Sequence, residues 1–192
     1  KGITVEEKGY ETAKSAAQEK SRSYADEFTK DKAYMMQHVE THNPATVFTG
    51  YDTLTDEGTV LMLLNDKFEL TDEVNGEGYA VFDRTPFYAE SGGQVGDKGI
   101  ILADGKEIAR VDDVQKPISK VFLHKFSGLL KKGQKVTLAV NAALRKRCMA
   151  NHSAIHLVNA ALRQVFGPSV HQSGSYVSPE RFRFDYTLSK TP

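Results

Sequence analysis

His152 and His156 stand four residues apart in a segment with helical spacing. On a helix that interval puts both imidazoles on one face about one turn apart, near enough to share a metal ion. Asn159 and Arg163 continue the same face, so it is polar where the opposite face is apolar. Spacing alone leaves two readings open: a metal-binding pair, or two ordinary histidines on a surface or in a core. A metalloprotease is excluded, because Ser153-Ala154-Ile155 fills the interval and the general-base glutamate of H-E-x-x-H is missing.

Three further groups could carry chemistry. Glu90-Ser91-Gly92-Gly93-Gln94-Val95-Gly96-Asp97 has glycines that would let backbone N–H groups approach a phosphate. It lacks the Gly-Lys-Ser/Thr end of a P-loop, and a tight turn between barrel strands is the simpler explanation. His171-Gln172-Ser173-Gly174-Ser175 could offer small polar groups to a substrate, or be an ordinary turn before a strand. Cys148, the single cysteine, rules out an internal disulfide and suits a reducing compartment. A buried thiol, a metal ligand and a nucleophile are its three possible roles, the first being the usual one for a free cysteine.

The elements that must position these groups fall into three zones: residues 1–43, 44–140 and 141–192. The first reads as helical to about Thr41, opened by a capping box of Thr4 and Glu7 and stopped by Asn43-Pro44. The second reads as β, with strand-forming runs at Thr46–Tyr51, Thr59–Leu64, Tyr79–Phe82, Gly99–Leu102, Ile108–Val111, Val121–His124 and Lys135–Val140. Turns are expected at Asp56-Glu57-Gly58, Asn75-Gly76, Asp104-Gly105 and Lys132-Gly133, and the third of these is a hairpin signal. Many short strands at this spacing predict a small barrel. The third zone begins with a helix over Asn141–Phe166, stopped by Gly167-Pro168, and continues into strands at Ser175–Val177 and Arg181–Tyr186. The fold class is α+β.

Composition agrees with a globular chain: 192 residues, 40% hydrophobic and 26% charged, with no apolar run near the ~20 residues of a membrane-spanning helix. The net charge of zero hides an asymmetry. Seven basic against two acidic residues leave Asn141–Pro192 at +5, and so residues 1–140 at −5. A basic segment suits a polyanion, and a solvated charged face explains it almost as well. The start, Lys1-Gly2-Ile3-Thr4, has neither an initiator Met nor the apolar stretch of a signal peptide, from which a chain cut out of something larger is expected.

Taken together, the motifs resemble a known family. Arg84-Thr85-Pro86-Phe87-Tyr88-Ala89-Glu90-Ser91-Gly92-Gly93-Gln94-Val95-Gly96-Asp97 is similar to a signature of the alanyl-tRNA synthetase editing region. About sixty residues later, Asn151-His152-Ser153-Ala154-Ile155-His156-Leu157, Asn159-Ala160-Ala161-Leu162-Arg163 and Val170-His171-Gln172-Ser173-Gly174-Ser175 resemble its second signature, followed by Arg181-Phe182-Arg183-Phe184-Asp185. Residues 1–40 resemble the helical stretch leading in from the tRNA-binding part, which free-standing editing proteins generally lack. The resemblance implies a β-barrel of the translation-protein type followed by the start of an α+β editing layer. It implies that His152 and His156 are two of four Zn2+ ligands, the others being a Cys-x-x-x-His pair beyond Pro192, so that the chain is truncated inside the editing fold. Ile155 stands where the family more usually has threonine.

The same resemblance implies hydrolysis of tRNA-Ala mischarged with serine or glycine. Gln172 and Gln94 are its catalytic or substrate-contacting candidates, and Gly92, Gly93, Ser173, Gly174 and Arg163 its binding candidates. ATP and Mg2+ would serve only the family's aminoacylation domain, and a cytoplasmic location follows. A non-catalytic tRNA-binding or spacer module is the alternative, and a free-standing trans-editing hydrolase the third reading.

Overall fold

The computed structural model describes residues 45–188. The expected N-terminal helical zone lies outside them. Chain order runs β1 (Val47–Phe48), β2 (Thr55–Asn65), β3 (Leu70–Thr71), β4 (Glu73–Phe82), β5 (Arg84–Thr85), β6 (Gly99–Ala103), β7 (Lys106–Gln115), β8 (Leu123–Lys131) and β9 (Lys135–Val140). The helix α1 (Ala142–Phe166) and the strands β10 (His171–Val177) and β11 (Phe182–Thr187) follow.

Six strands close a barrel in the order β2-β4-β8-β7-β6-β9, with β9 returning to pair with β2 and the short β3 added beside β2. Closure removes the free sheet edges, as expected for many short antiparallel strands. The alternation in β9 sends Val136, Leu138 and Val140 inward. In β7, Val111 and Val114 both reach the core because a bulge between Val111 and Asp113 resets the register. The interior is packed with Leu63, Phe82, Phe87, Ile101, Phe126 and Leu130, all inaccessible to solvent. A smaller apolar cluster of Met62, Leu64, Val81, Val121 and Leu123 covers the outer side of β2 and β4.

Several elements differ from the sequence expectation. Asp56-Glu57-Gly58 and Asn75-Gly76 are not turns but lie inside β2 and β4. Gly76 sits opposite Gly128 within a ladder of nine paired positions between β4 and β8, and that long-range pairing overrides local turn preference. The run expected at Thr46–Tyr51 shrinks to Val47–Phe48, paired in parallel with β5. The run at Val121–His124 becomes a strand that starts at Leu123 and continues to Lys131, through Ser127 and Gly128, which carry no strand signal. His171-Gln172-Ser173-Gly174 is part of β10 rather than a turn before it, with a bulge between Gln172 and Gly174. The Asp104-Gly105 hairpin is present, with φ of 50° and 74°, as the mirror-image turns of tight hairpins demand.

Helix α1 starts where Asn141 caps it, the side-chain oxygen accepting from the Leu144 N–H at 3.1 Å. It ends at Gly167, in the left-handed region at φ 88°, whose N–H donates to the Arg163 carbonyl at 2.9 Å. It packs against the antiparallel pair β10–β11, giving the α+β layer beside the barrel.

Candidate functional site

The two histidines meet as their spacing requires. The His152 and His156 rings stack at 5.2 Å between centroids with planes 29° apart. His152 Nδ1 lies 2.6 Å from Gln94 Oε1. A carbonyl oxygen only accepts, so Nδ1 carries the proton and donates, which leaves the Nε2 lone pair free. Gln94 is buried, 7% exposed, and its place is set by backbone pairing. The Val95 N–H donates to the Val177 carbonyl at 3.0 Å, and the Val177 N–H to the Gly93 carbonyl at 2.8 Å. The 90–97 loop thus joins β10 as a short parallel partner.

Gly93 is required at this junction. Its φ is +83°, and a Cβ there would stand 2.4 Å from the Ser175 carbonyl oxygen. The close approach served by Gly93 is therefore to the chain's own β10. Gly92, at φ +59°, has open space where a Cβ would be.

Gln172 and Ser173 are exposed at the start of β10. Gln172 lies three residues from Ser175, roughly 10 Å along the strand. Arg163 is exposed in the last turn of α1, seven residues beyond His156, or about 10 Å of helix. The structure therefore brings Gln94, His152 and His156 together and carries Gln172, Ser173, Gly174 and Arg163 on the flanking elements. A cleft of about 520 Å³ opens beside the cluster, with Gln94, His152, Met149, Tyr88 and the loop from Gly50 to Leu54 along its walls. Burial raises the Tyr88 phenol above its ordinary pKa, and its OH donates to the Ser91 carbonyl at 3.3 Å.

Two histidines on one face, one held in a fixed tautomer, suit the ligand chemistry of zinc, for which a neutral imidazole nitrogen is a common donor. Among the described residues no group of three or more His, Cys, Asp or Glu is arranged to hold a metal, so the two rings have no third such donor beside them there.

Comparison with known proteins follows the same lines. The family described as tRNA synthetases class II (A) matches residues 1–144. The chain belongs to this family. It is also similar to alanine–tRNA ligases along its whole length. That of Elusimicrobium minutum is 49% identical over 100% of this chain and 22% of its own length. The enzyme of Hyphomonas neptunium is 43% identical over 97% of the chain and 22% of its length, and that of Thermotoga maritima 39% over 99% and 22%. The chain thus spans about a fifth of the curated relatives it matches.

In this chain the residue that fixes the site was not among the sequence candidates. Arg145, buried at 8% exposure, donates to both oxygens of Asp97 and to the carbonyls of Gly50 (2.9 Å) and Pro86 (2.8 Å). Asp97 Oδ2 also accepts the Tyr88 N–H at 2.8 Å. One guanidinium thus ties the helix to both loops that border the cleft. A signal existed: Arg145 is in helical register with Cys148, His152 and Ile155, so a charge falls within the stripe that turns inward. Cys148 is buried as expected, and burial raises its thiol pKa, which makes it a packing residue.

Proposed function

We propose that the chain forms part of the editing region of an alanine–tRNA ligase, where Ser-tRNA-Ala and Gly-tRNA-Ala are hydrolysed. The observation that carries this reading is the contact of Gln94 with His152 beside His156. It joins two motifs about sixty residues apart at a pair of stacked rings, of which His152 lines a cleft. On this reading residues 1–43 end the tRNA-binding region, 44–140 form a barrel of the translation-protein type, and 141–192 begin the editing domain. tRNA-Ala is the partner and the cytoplasm the location. ATP and Mg2+ serve the aminoacylation that belongs to the larger part of the relatives.

His152 and His156 would hold Zn2+, which when bound supplies a Lewis acid and a template for the substrate. Gln94 is a positioning residue: it holds the His152 ring and its tautomer. Gln172, with Ser173, Gly174 and Arg163, contacts the aminoacylated 3′ end. Water attacks the ester carbonyl, the bond to the ribose oxygen breaks, and the amino acid leaves a free ribose hydroxyl. Such a site answers a physical limit. A pocket built for alanine excludes glycine or serine by only about 10–200-fold for one small group. A second site that hydrogen-bonds the serine hydroxyl leaves those groups unpaired with alanine and so spares the correct product.

The test is deacylation of Ser-tRNA-Ala by the zinc-loaded protein. Gln172→Ala should lower kcat/KM by about 10-fold, the worth of one hydrogen bond. Unchanged hydrolysis removes Gln172 from the site. The basic segment from Asn141 to Pro192, at +5, favours a second reading, a tRNA-binding module without turnover. That module would bind uncharged and mischarged tRNA-Ala alike and hydrolyse neither.

A further inference from the structure

The cleft beside His152 has one wall that the reading above does not use. Tyr51 is 86% exposed and lines the cleft, so its ring is open to a ligand there. Its ring is nevertheless well supported. It stands edge-on to Phe48 at 5.0 Å and 81°, and Phe48 stacks on Phe122 at 5.5 Å and 9°. The turn that carries it is closed by the Asp52 and Thr53 N–H groups donating to the Thr49 carbonyl, at 3.0 and 3.2 Å. The preceding carbonyl, of Gly50, is held by Arg145. Arg145 is seven residues before His152 on the same helix, so the guanidinium that fixes the Tyr51 turn also fixes the histidine relative to it.

The chemistry of the wall selects its ligand. Of the described lining residues, Arg145 is already paired with Asp97, and Asp52 is acidic, so nothing there neutralises a phosphate. A neutral flat ring suits this wall better. The volume of about 520 Å³ falls within the ~300–1,000 Å³ of clefts that enclose small ligands. We propose that Tyr51 is the stacking platform for a nucleobase at the single-stranded 3′ end of the RNA, which places the adjoining ribose over Gln94 and His152. The inference rests on the editing reading and deepens it by assigning the base-recognising residue. Stacking on an exposed, pre-oriented aromatic ring is the general way proteins hold unpaired bases.

The test uses the whole chain and an acceptor-stem minihelix with 2-aminopurine as its 3′-terminal base, whose fluorescence is quenched by stacking. Wild-type protein should quench it. Tyr51→Phe should bind within about two-fold of wild type, and Tyr51→Ala should weaken binding about 5- to 150-fold and abolish the quench. A minihelix lacking the terminal base should bind wild type as weakly as the intact RNA binds Tyr51→Ala, with no further loss when both changes are combined. If the RNA binds and Tyr51→Ala changes nothing, the stacking assignment falls and the editing reading stands. If no RNA binds, both fall. Displacement of the minihelix by an equal concentration of adenosine monophosphate would assign the platform to a free nucleotide and overturn the RNA assignment.

Discussion

At the scale of single residues the site depends on which nitrogen of His152 carries the proton. Gln94 Oε1 at 2.6 Å from Nδ1 selects the Nδ1–H tautomer and turns the other lone pair outward. Removing that acceptor with Gln94→Ala should leave a mixture of tautomers, read directly as a change in the 15N shifts of the His152 ring. Zinc titrated against a chromophoric chelator should bind about 10–100-fold more weakly in the variant. Unmoved shifts would reduce Gln94 to a packing role. The histidine pair was legible in the sequence because four residues on a helix admit one geometry. Gln94 was legible as a member of a motif, but its partner was not. Its contact with His152 spans 58 residues and arises only when the 90–97 loop lies along β10. Tyr51 carried no signal, since an aromatic ring in a strand-like run reads as core.

At the scale of elements, two junctions hold the cleft together. In the first, Gly93 lies against Ser175, and Gly93→Ala must both adopt φ +83° and displace the Ser175 carbonyl. A loss of about 1–3 kcal/mol is expected in denaturant unfolding, with the His152 ring resonances shifting as the loop lifts from β10. In the second, Arg145 lies against Asp97. Arg145→Met would strand a carboxylate that is 5% exposed, at a cost of about 3–5 kcal/mol, and adding Asp97→Asn should recover part of it. Equal stability of the single and double variants would show that the pair is not coupled. Local pattern made α1 and the β6–β7 hairpin legible: Asn141 caps, Gly167 stops, and Asp104-Gly105 supplies two positive φ values. Pattern failed at β4 and β8. Asn75-Gly76, Ser127 and Gly128 have poor strand preference and are held in the ladder by long-range pairing, Gly76 with Gly128, Asn75 with Leu129 and Ser127 with Glu77. Closure of the barrel through β2 and β9 is likewise a property of the assembled sheet rather than of either strand.

At the scale of the whole molecule, the closed barrel encloses one titratable group that ties its stability to pH. His124, with no solvent exposure, lies edge-on to Phe82 at 4.9 Å and to Phe87 at 5.6 Å. Nδ1–H donates toward the carbonyls of Ala80 (3.2 Å) and Phe122 (3.1 Å), and Nε2 accepts from the Thr85 hydroxyl at 2.8 Å, so both nitrogens are satisfied in the neutral form. Burial lowers its pKa from 6.5 to about 4, partly offset by those two carbonyls. Between these values the unfolded chain binds a proton that the folded barrel refuses. The contribution is therefore fully present above pH 6.5 and is lost as pH falls from 6.5 to about 4, by about 3 kcal/mol in total. His124→Phe should cost about 1–3 kcal/mol at pH 7, because it leaves buried carbonyls and the Thr85 hydroxyl without their partner. It should also remove this share of the acid dependence, so wild type and variant converge as pH drops towards 4.5. Urea unfolding at pH 7 and pH 4.5 measures both effects, and the difference between the two proteins cancels the carboxylates that titrate in the same range. Parallel acid dependence in the two would mean that His124 takes up its proton in the folded barrel as readily as in the open chain, and that the Thr85 hydroxyl can turn to accept it.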